Sequence, residues 1–332
     1  MQDLHHGKEI YNFFGRFEIY GILGLLVSSI IFAYLTYKIL IIVTHNDIES
    51  YNDFLIFILK NNKYKEKIYE ITKLIINMFL LASFYIMIAG LSSYFKQKYN
   101  ISSYLTSIIG VFFCYSVLNK NIKGVIKIST ICVPIIIIFI IIIGIKNFEH
   151  GIYEINNMNI EINLNSISLI NSSSINALLY AGYNSILLIP VIISLKKYCN
   201  KKNITIISYL IGLIIFLLGF CVYVILLKGN DYIMQMDMPI AYIIKKIDKN
   251  YTFFYGIVII ISILTSIISA GYSFLKNSSK NKKEYQKYLK LICISSILIS
   301  NIGFSKLINL LYPTFGLFGI IQIYFIFIRN IE

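Results

Sequence analysis

Nine long apolar runs divide this chain of 332 residues and limit its fold more than any other feature. A helix needs about 17–25 apolar residues to cross the hydrocarbon core of a bilayer. With 57% hydrophobic residues and a mean hydropathy of +0.73, the chain is also too apolar for a soluble domain of its size. The sequence therefore predicts an all-α integral membrane protein. The predicted spans are 19–42, 74–95, 103–119, 124–145, 174–195, 204–227, 252–275, 289–305 and 307–328.

Several shorter segments between these runs have features of their own. Residues 7–17 are helix-like but too short to cross, and 51–60 form a short amphipathic segment. Residues 234–247, which contain Pro239, are also too short and predict a helix lying over the outer mouth as a lid. The loop 146–173 is rich in Asn, Ser and Glu, and we expect it to be mobile.

Basic residues predict the orientation. Twenty of the thirty Lys and Arg residues fall after spans 1, 3, 5 and 7 or at the C-terminus, and basic loops stay in the cytoplasm. This predicts a multi-pass protein of a bacterial plasma membrane, with a cytoplasmic C-terminus and Met1 outside. The net charge of +14 does not indicate a nucleic-acid partner, because the lysines lie in short loops between spans.

Catalytic chemistry is not indicated. The span centres carry no ionisable groups, and the chain has no HExxH, Walker or GxSxG motif. The five cysteines show no metal spacing. We therefore expect no enzyme, no catalytic or metal-binding residue and no cofactor.

One span is interrupted by small and polar residues. The residues concerned are Ala181, Gly182, Tyr183, Asn184 and Ser185, with Pro190 after them. A helix broken there would expose main-chain groups to a solute, as in transporter binding sites. The alternative is a continuous helix whose small-residue face packs on a neighbour.

Other polar residues lie in or near spans. Thr265, Ser266 and Ser269, followed by Gly271, share one helical face and predict an ion site, with hydroxyl bonding inside the helix as the alternative. Tyr85 is a candidate for solute contact or for simple packing. Glu9 is a candidate for pairing with an ion or a substrate amine, or else a solvated terminal carboxylate.

Seven stretches together resemble one family, the YkvI-like bacterial membrane proteins. They run over nearly the whole chain, and their order makes the set specific. They are GKEI at 7–10, FFGRF at 13–17, YGILG at 20–24, NIKGVIKISTICVP at 121–134, LYAGYNSILLIP at 179–190, DMPIAYIIKK at 237–246 and YPTFGLFG at 312–319.

The resemblance implies a ten-helix inverted-repeat bundle similar to LeuT-type symporters of the amino acid, polyamine and cation superfamily. Its first and sixth helices are broken at mid-membrane, and its eighth helps to hold the coupling ion. On this chain, 181–185 fall in helix six, 265–271 in helix eight and Tyr85 in helix three. The family's opening stretch, roughly GAxxGAGFASGQEI, has no counterpart before 7–10, so we expect nine full spans plus a remnant of helix one.

These observations predict one transporter-like transmembrane domain over 1–332. The expected function is secondary transport of an amino acid or amine, coupled to Na⁺ or H⁺ by alternating access. Lipid and a small solute are the expected partners, and no oligomeric state is predicted. If the short start is genuine, a degenerate or ligand-sensing relative of the germinant-receptor membrane subunits is the alternative. A structural membrane protein with a collapsed site is a third.

Overall fold

The computed structural model describes residues 7–48, 51–59, 64–120, 123–157, 164–196, 199–200, 202–229, 231–247 and 249–329. Every regular element in these ranges is helical. In chain order they are α1 (Lys8–Phe13), a 3₁₀ turn (Gly15–Phe17), α2 (Ile19–His45), α3 (Tyr51–Ile58), α4 (Lys65–Tyr99), α5 (Ser103–Lys120), α6 (Lys123–Lys146), α7 (Phe148–Asn157), α8 (Leu164–Leu195), α9 (Ile204–Leu226), α10 (Asp231–Gln235), α11 (Pro239–Ile247), α12 (Lys249–Ser278), α13 (Lys282–Ser300) and α14 (Phe304–Ile328).

A helix covers each predicted apolar run, but several boundaries differ: α4, α8 and α13 begin seven to ten residues earlier than predicted. The predicted span 289–305 passes the end of α13, and α14 begins at Phe304 rather than at residue 307. Within the described ranges, five helices are long and apolar enough to cross a membrane. These are Ile19–His45, Glu66–Tyr99, Ile204–Leu226, Thr252–Ser278 and Phe304–Ile328. The chain is therefore a helical multi-pass membrane protein.

The chain divides into two compact units that it enters in alternation. The first unit contains Met1–Asn12, Asn77–Asn157 and Cys221–Leu310. The second unit contains Phe13–Ile76, Met158–Phe220 and Leu311–Glu332. Each unit is thus assembled from three segments that are distant in sequence.

In the first unit, α12 is the central helix and packs against α5, α6, α11 and α13. The neighbouring helices α5 and α13 are also joined by a hydrogen bond between the buried hydroxyls of Ser107 and Ser300, 2.9 Å apart. A reciprocal cap starts α13, where the Glu284 amide donates to Asn281 and the Glu284 carboxylate accepts from the Lys280 amide. The start of α13 is therefore capped, and its Ser300 hydroxyl near the other end is paired with α5.

In the second unit, α2 and α8 form the main helix pair. Buried Ser173 of α8 donates to the carbonyl of Tyr20 of α2 at 2.7 Å, so the pair is also held by a side-chain bond. The short helix α3 packs on α8 and buries Phe54, Leu55 and Ile58. The segment 51–60, predicted to be amphipathic, forms this helix over Tyr51–Ile58.

Two other segments differ from expectation. The segment 7–17 is not one helix, because α1 ends at Phe13 and a 3₁₀ turn follows before Glu18, which has φ +48°. The loop 146–173, expected to be mobile, is helical at Phe148–Asn157 and again from Leu164. Its acidic and Asn-rich composition is typical of a loop, but Ile152 and Ile155 give it an apolar side at helical spacing.

Candidate functional site

The helix α8 is continuous through Ala181–Ser185, and the predicted break is wrong. The polar side chains there bond to their own helix. Asn184 Nδ2 donates to the Tyr180 carbonyl at 3.1 Å, and Ser185 Oγ donates to the Gly182 carbonyl at 2.6 Å. Such bonds back to a preceding turn are the default for these residues inside a helix. No main-chain group is released at this level for a solute.

Gly182 has a different role from the one predicted. A Cβ atom added to it would overlap the carbonyl oxygen of Gly316 on α14, and one added to Gly319 would overlap the carbonyl of Gly182. A Cβ at Gly316 would lie 2.7 Å from the carbonyl oxygen of Leu179. The two helix backbones therefore touch, and only glycine allows that approach. This is the small-residue packing considered above as the alternative.

Six aromatic rings form an aromatic cluster beside this contact, in the core of the second unit. Tyr183 stacks on Tyr312 with ring centroids 4.5 Å apart and planes at 22°. Tyr180 meets other rings edge-on, at centroid distances of 5.1–6.0 Å. The members of the aromatic cluster are Phe13, Phe14, Phe32, Tyr180, Tyr183 and Tyr312, each no more than 4% exposed.

Only Tyr183 of these six was a candidate from sequence. Tyr180 and Tyr183 are three residues apart, so they lie on one face of α8. That spacing was a usable signal for the two tyrosines. The rings from α1, α2 and α14 could not be found this way, because the fold brings them in from other segments.

The candidate ion-site residues lie on α12, in the first unit. Thr265 and Ser266 are buried, whereas Ser269 is exposed. Thr265 Oγ1 donates to the Ser262 carbonyl at 2.8 Å, as a helix hydroxyl does by default. Gly271 packs against the Phe84 ring, 2.9 Å from where its Cβ would be. The structure does not gather these residues into one buried pocket.

The remaining candidates, Tyr85 and Glu9, also lie in the first unit. Tyr85 on α4 shares a hydrogen bond of 2.8 Å with Ser295 on α13, which ties the two helices together. Glu9 is 3% exposed, and the adjacent Lys8 is 5% exposed. The interpretation of Glu9 as a solvated terminal carboxylate is therefore wrong.

Within the segment 234–247, predicted as an outer helix starting near Pro239, α11 does begin at Pro239, and α10 ends at Gln235 with a bend at 236–238 between them. The bend is held by side chains from distant segments. Lys8 Nζ donates to the Met234 carbonyl at 2.8 Å. Gln97 donates to the Met238 carbonyl at 3.0 Å and accepts from the Met238 amide at 3.1 Å.

A third side chain fixes the same bend. The carboxylate of Asp237 accepts from both the amide and the hydroxyl of Ser305, in the first turn of α14. A negative charge is favourable at a helix N-terminus, where amides have no partner within the helix. The bend is thus anchored on both sides of Asp237, at Met234 and at Met238.

Comparison with known proteins supports a membrane protein and leaves its activity open. No protein-family model matches the chain. The chain is similar to the "Uncharacterized membrane protein YkvI" of Bacillus subtilis (strain 168), with 24% identity over 315 residues. The match covers 93% of this chain and 86% of that protein.

Proposed function

We propose that the protein is a secondary transporter of a small organic solute, an amino acid or amine, that works by alternating access. One observation carries the proposal: the chain passes back and forth between two compact units, entering each of them three times. Alternating access in inverted-repeat transporters is largely the rocking of one helix bundle against another. By the resemblance, the second unit contains helices two and six, most of helix seven and most of helix ten, and the first unit contains helices three, four, five, eight and nine. The remnant of helix one is divided between the two units after Asn12.

The proposed solute site is the aromatic cluster of the second unit. There the solute would be bound by side chains rather than by main-chain groups of an unwound helix. Tyrosine faces attract ammonium groups, and their hydroxyls accept or donate hydrogen bonds. Tyr183 and Tyr312 stack at 4.5 Å, so a solute enters only when one ring turns away. This conformation is then a closed one.

The proposed coupling ion is Na⁺ or H⁺, with Thr265 and Ser266 of α12 as the candidate ligands. Both residues are buried, and hydroxyl and carbonyl oxygens are hard ligands that suit Na⁺. Uptake driven by an inward Na⁺ gradient in proteoliposomes, and its loss in Thr265→Val, would support coupling at this place. Uptake that is indifferent to both Na⁺ and pH gradients would contradict it.

Transport is tested by uptake of radiolabelled amino acids and amines into proteoliposomes. Tyr183→Leu should lower uptake at least tenfold, because it removes a ring from the proposed site. The matched control is Tyr324→Leu, since Tyr324 is also on a membrane helix but 60% exposed. Wild-type uptake by a stably folded Tyr183→Leu protein would exclude this site.

The second candidate function is solute sensing without transport. The unbroken α8 and the backbone contact of Gly182 with Gly316 favour it. A helix that packs this closely on its neighbour at mid-length cannot easily shift during a transport cycle. A sensor would gain thermal stability when the solute is added, yet show no flux in the same proteoliposomes. A transporter would show both.

A further inference from the structure

A cavity of about 280 Å³ lies within the second unit, between α3, the first turns of α4, and α14. Its walls include Leu55 and Ile58 of α3, Ile71 and Ile75 of α4, and Phe325 of α14. Whole small molecules fill cavities of about 300–1,000 Å³. This one suits a single slender part of a larger molecule.

The polar side chains in the described wall of the cavity already make hydrogen bonds elsewhere. Its two polar side chains are Thr72 and Gln322. Thr72 Oγ1 donates to the Ile68 carbonyl at 2.7 Å, and Gln322 Nε2 donates to the Tyr51 hydroxyl. An apolar chain therefore matches the walls better than a polar solute does.

The cavity opens toward the surface that faces lipid. Three of its wall residues are widely exposed: Ile71 at 54%, Phe318 at 41% and Ile321 at 53%. Exposed isoleucine and phenylalanine on membrane helices contact acyl chains. A chain from the surrounding bilayer can thus enter from the side.

Two basic residues lie one helical turn from wall residues of this cavity. Lys67 is exposed and lies one turn before Ile71 on the same stripe of α4. Arg329 lies one turn beyond Phe325, with its guanidinium 4.6 Å from the Phe57 ring centroid. Among the described residues, Arg329 Nε has no hydrogen-bond partner. The predicted topology puts both cations at the cytoplasmic membrane surface.

The acidic side chains nearest to Lys67 and to the cavity lie on α4 and α3. On α4, Glu70 follows Lys67 by three residues and is its neighbour on the helix surface, whereas Glu66 is turned away from the cavity walls. Asp53 on α3 is also turned away from those walls. A phosphate bound at Lys67 therefore competes with Glu70 for that ammonium group.

We propose that the cavity binds one acyl chain of an anionic phospholipid, whose phosphate lies between Lys67 and Arg329. The apolar walls hold the chain, and the cations select the head group. Both binding elements belong to the second unit, so the lipid would stabilise that unit. The proposal is independent of whether the protein transports a solute.

The chain contains no tryptophan, so one introduced indole ring is a unique fluorescent reporter. The variant Phe325→Trp, called the cavity reporter, places the indole ring in the cavity wall. The control variant Tyr324→Trp, called the surface reporter, places the ring on an exposed face of the same helix. Each purified protein is titrated in detergent with phosphatidylglycerol or phosphatidylcholine carrying brominated acyl chains, which quench nearby indole fluorescence. We expect phosphatidylglycerol to quench the cavity reporter at lower concentration than phosphatidylcholine does, and the two lipids to quench the surface reporter equally.

Charge variants in the background of the cavity reporter test the head-group contact. Lys67→Gln and Arg329→Gln should each weaken phosphatidylglycerol binding about fivefold. Lys73→Gln, on another stripe of α4, should leave it unchanged. Equal quenching of the cavity reporter by both lipids, or equal losses in all three charge variants, would overturn the proposal. Displacement of bound lipid by free oleate at a lower concentration than phosphatidylglycerol would also overturn it, in favour of a fatty-acid site.

Discussion

Gly182 of α8 and Gly319 of α14 pack backbone against backbone, with no side chain between them. The contact lies where sequence pattern predicted a helix break. Each glycine is required by the position of the other helix, not by its own conformation. The glycines at this level therefore bring two helices together instead of opening one.

The first prediction concerns this contact. Gly319→Ala should destabilise the protein by about 3 kcal/mol, because the new methyl group meets a carbonyl in a helix backbone that cannot turn aside. The measurement is unfolding in mixed detergent micelles. Gly219→Ala on α9 is the control, since its nearest neighbour would be the tip of the Leu25 side chain at 3.0 Å. A Gly319→Ala protein as stable as Gly219→Ala would contradict the backbone contact.

The second prediction separates two roles for Tyr85. If its hydroxyl only joins α4 to α13, Tyr85→Phe and Ser295→Ala should each cost about 1 kcal/mol, and the double variant little more than either. Uptake of any transported solute would then be unchanged in both. Loss of uptake in Tyr85→Phe alone would instead assign the hydroxyl to the solute.

The third prediction concerns the bend between α10 and α11. Gln97→Met removes both hydrogen bonds to Met238 while keeping the side-chain length, and should cost about 2 kcal/mol. Hydrogen exchange at the Met238 amide should accelerate by at least tenfold. Gln286→Met, which removes an exposed bond to Asn119, should leave that exchange rate unchanged. An unchanged rate in Gln97→Met would show that other contacts hold the bend.

The fourth prediction concerns pH. The hydrogen bond and charge of Lys196 lower the pKa of Asp47 from its ordinary value of 3.8. A carboxyl whose pKa is lowered by folding stabilises the protein above its unfolded pKa, and loses that contribution as the pH falls through the folded value. Lys196→Gln should therefore be less stable than wild type at pH 7, with the difference fading as the pH falls below 3.8. High salt should also reduce it, because Asp47 is exposed.

The length of the apolar runs predicted the positions of the long helices reliably, whereas the small residues within a run did not predict whether its helix is broken. Long apolar runs have one stable form in hydrocarbon, so the helices lie where they were predicted. Gly182 and Asn184 admit two forms, because glycine permits both unwinding and close packing. The choice between an unwound and a closely packed helix depends on Gly316, which is 134 residues away from Gly182 in sequence. A local sequence pattern cannot include such a distant partner.

The same limit applies to the bend and to the aromatic cluster. Met236–Met238 carries no glycine or proline that marks a helix end before Pro239. Gln97 and Ser305, which hold it, come from other helices. Tyr312 likewise meets Tyr183 only in the folded second unit. Such partners become apparent only when the chain is folded.

The interleaving of the two units sets the order in which the protein can be completed during synthesis. The glycine face of α8 is made before its partner on α14, with the segment Cys221–Leu310 translated in between. Until α14 is inserted, the glycine face of α8 contacts lipid or an insertion chaperone instead of its partner helix. Ribosome stalling anywhere in that interval would leave a half-built second unit, exposed to membrane proteases.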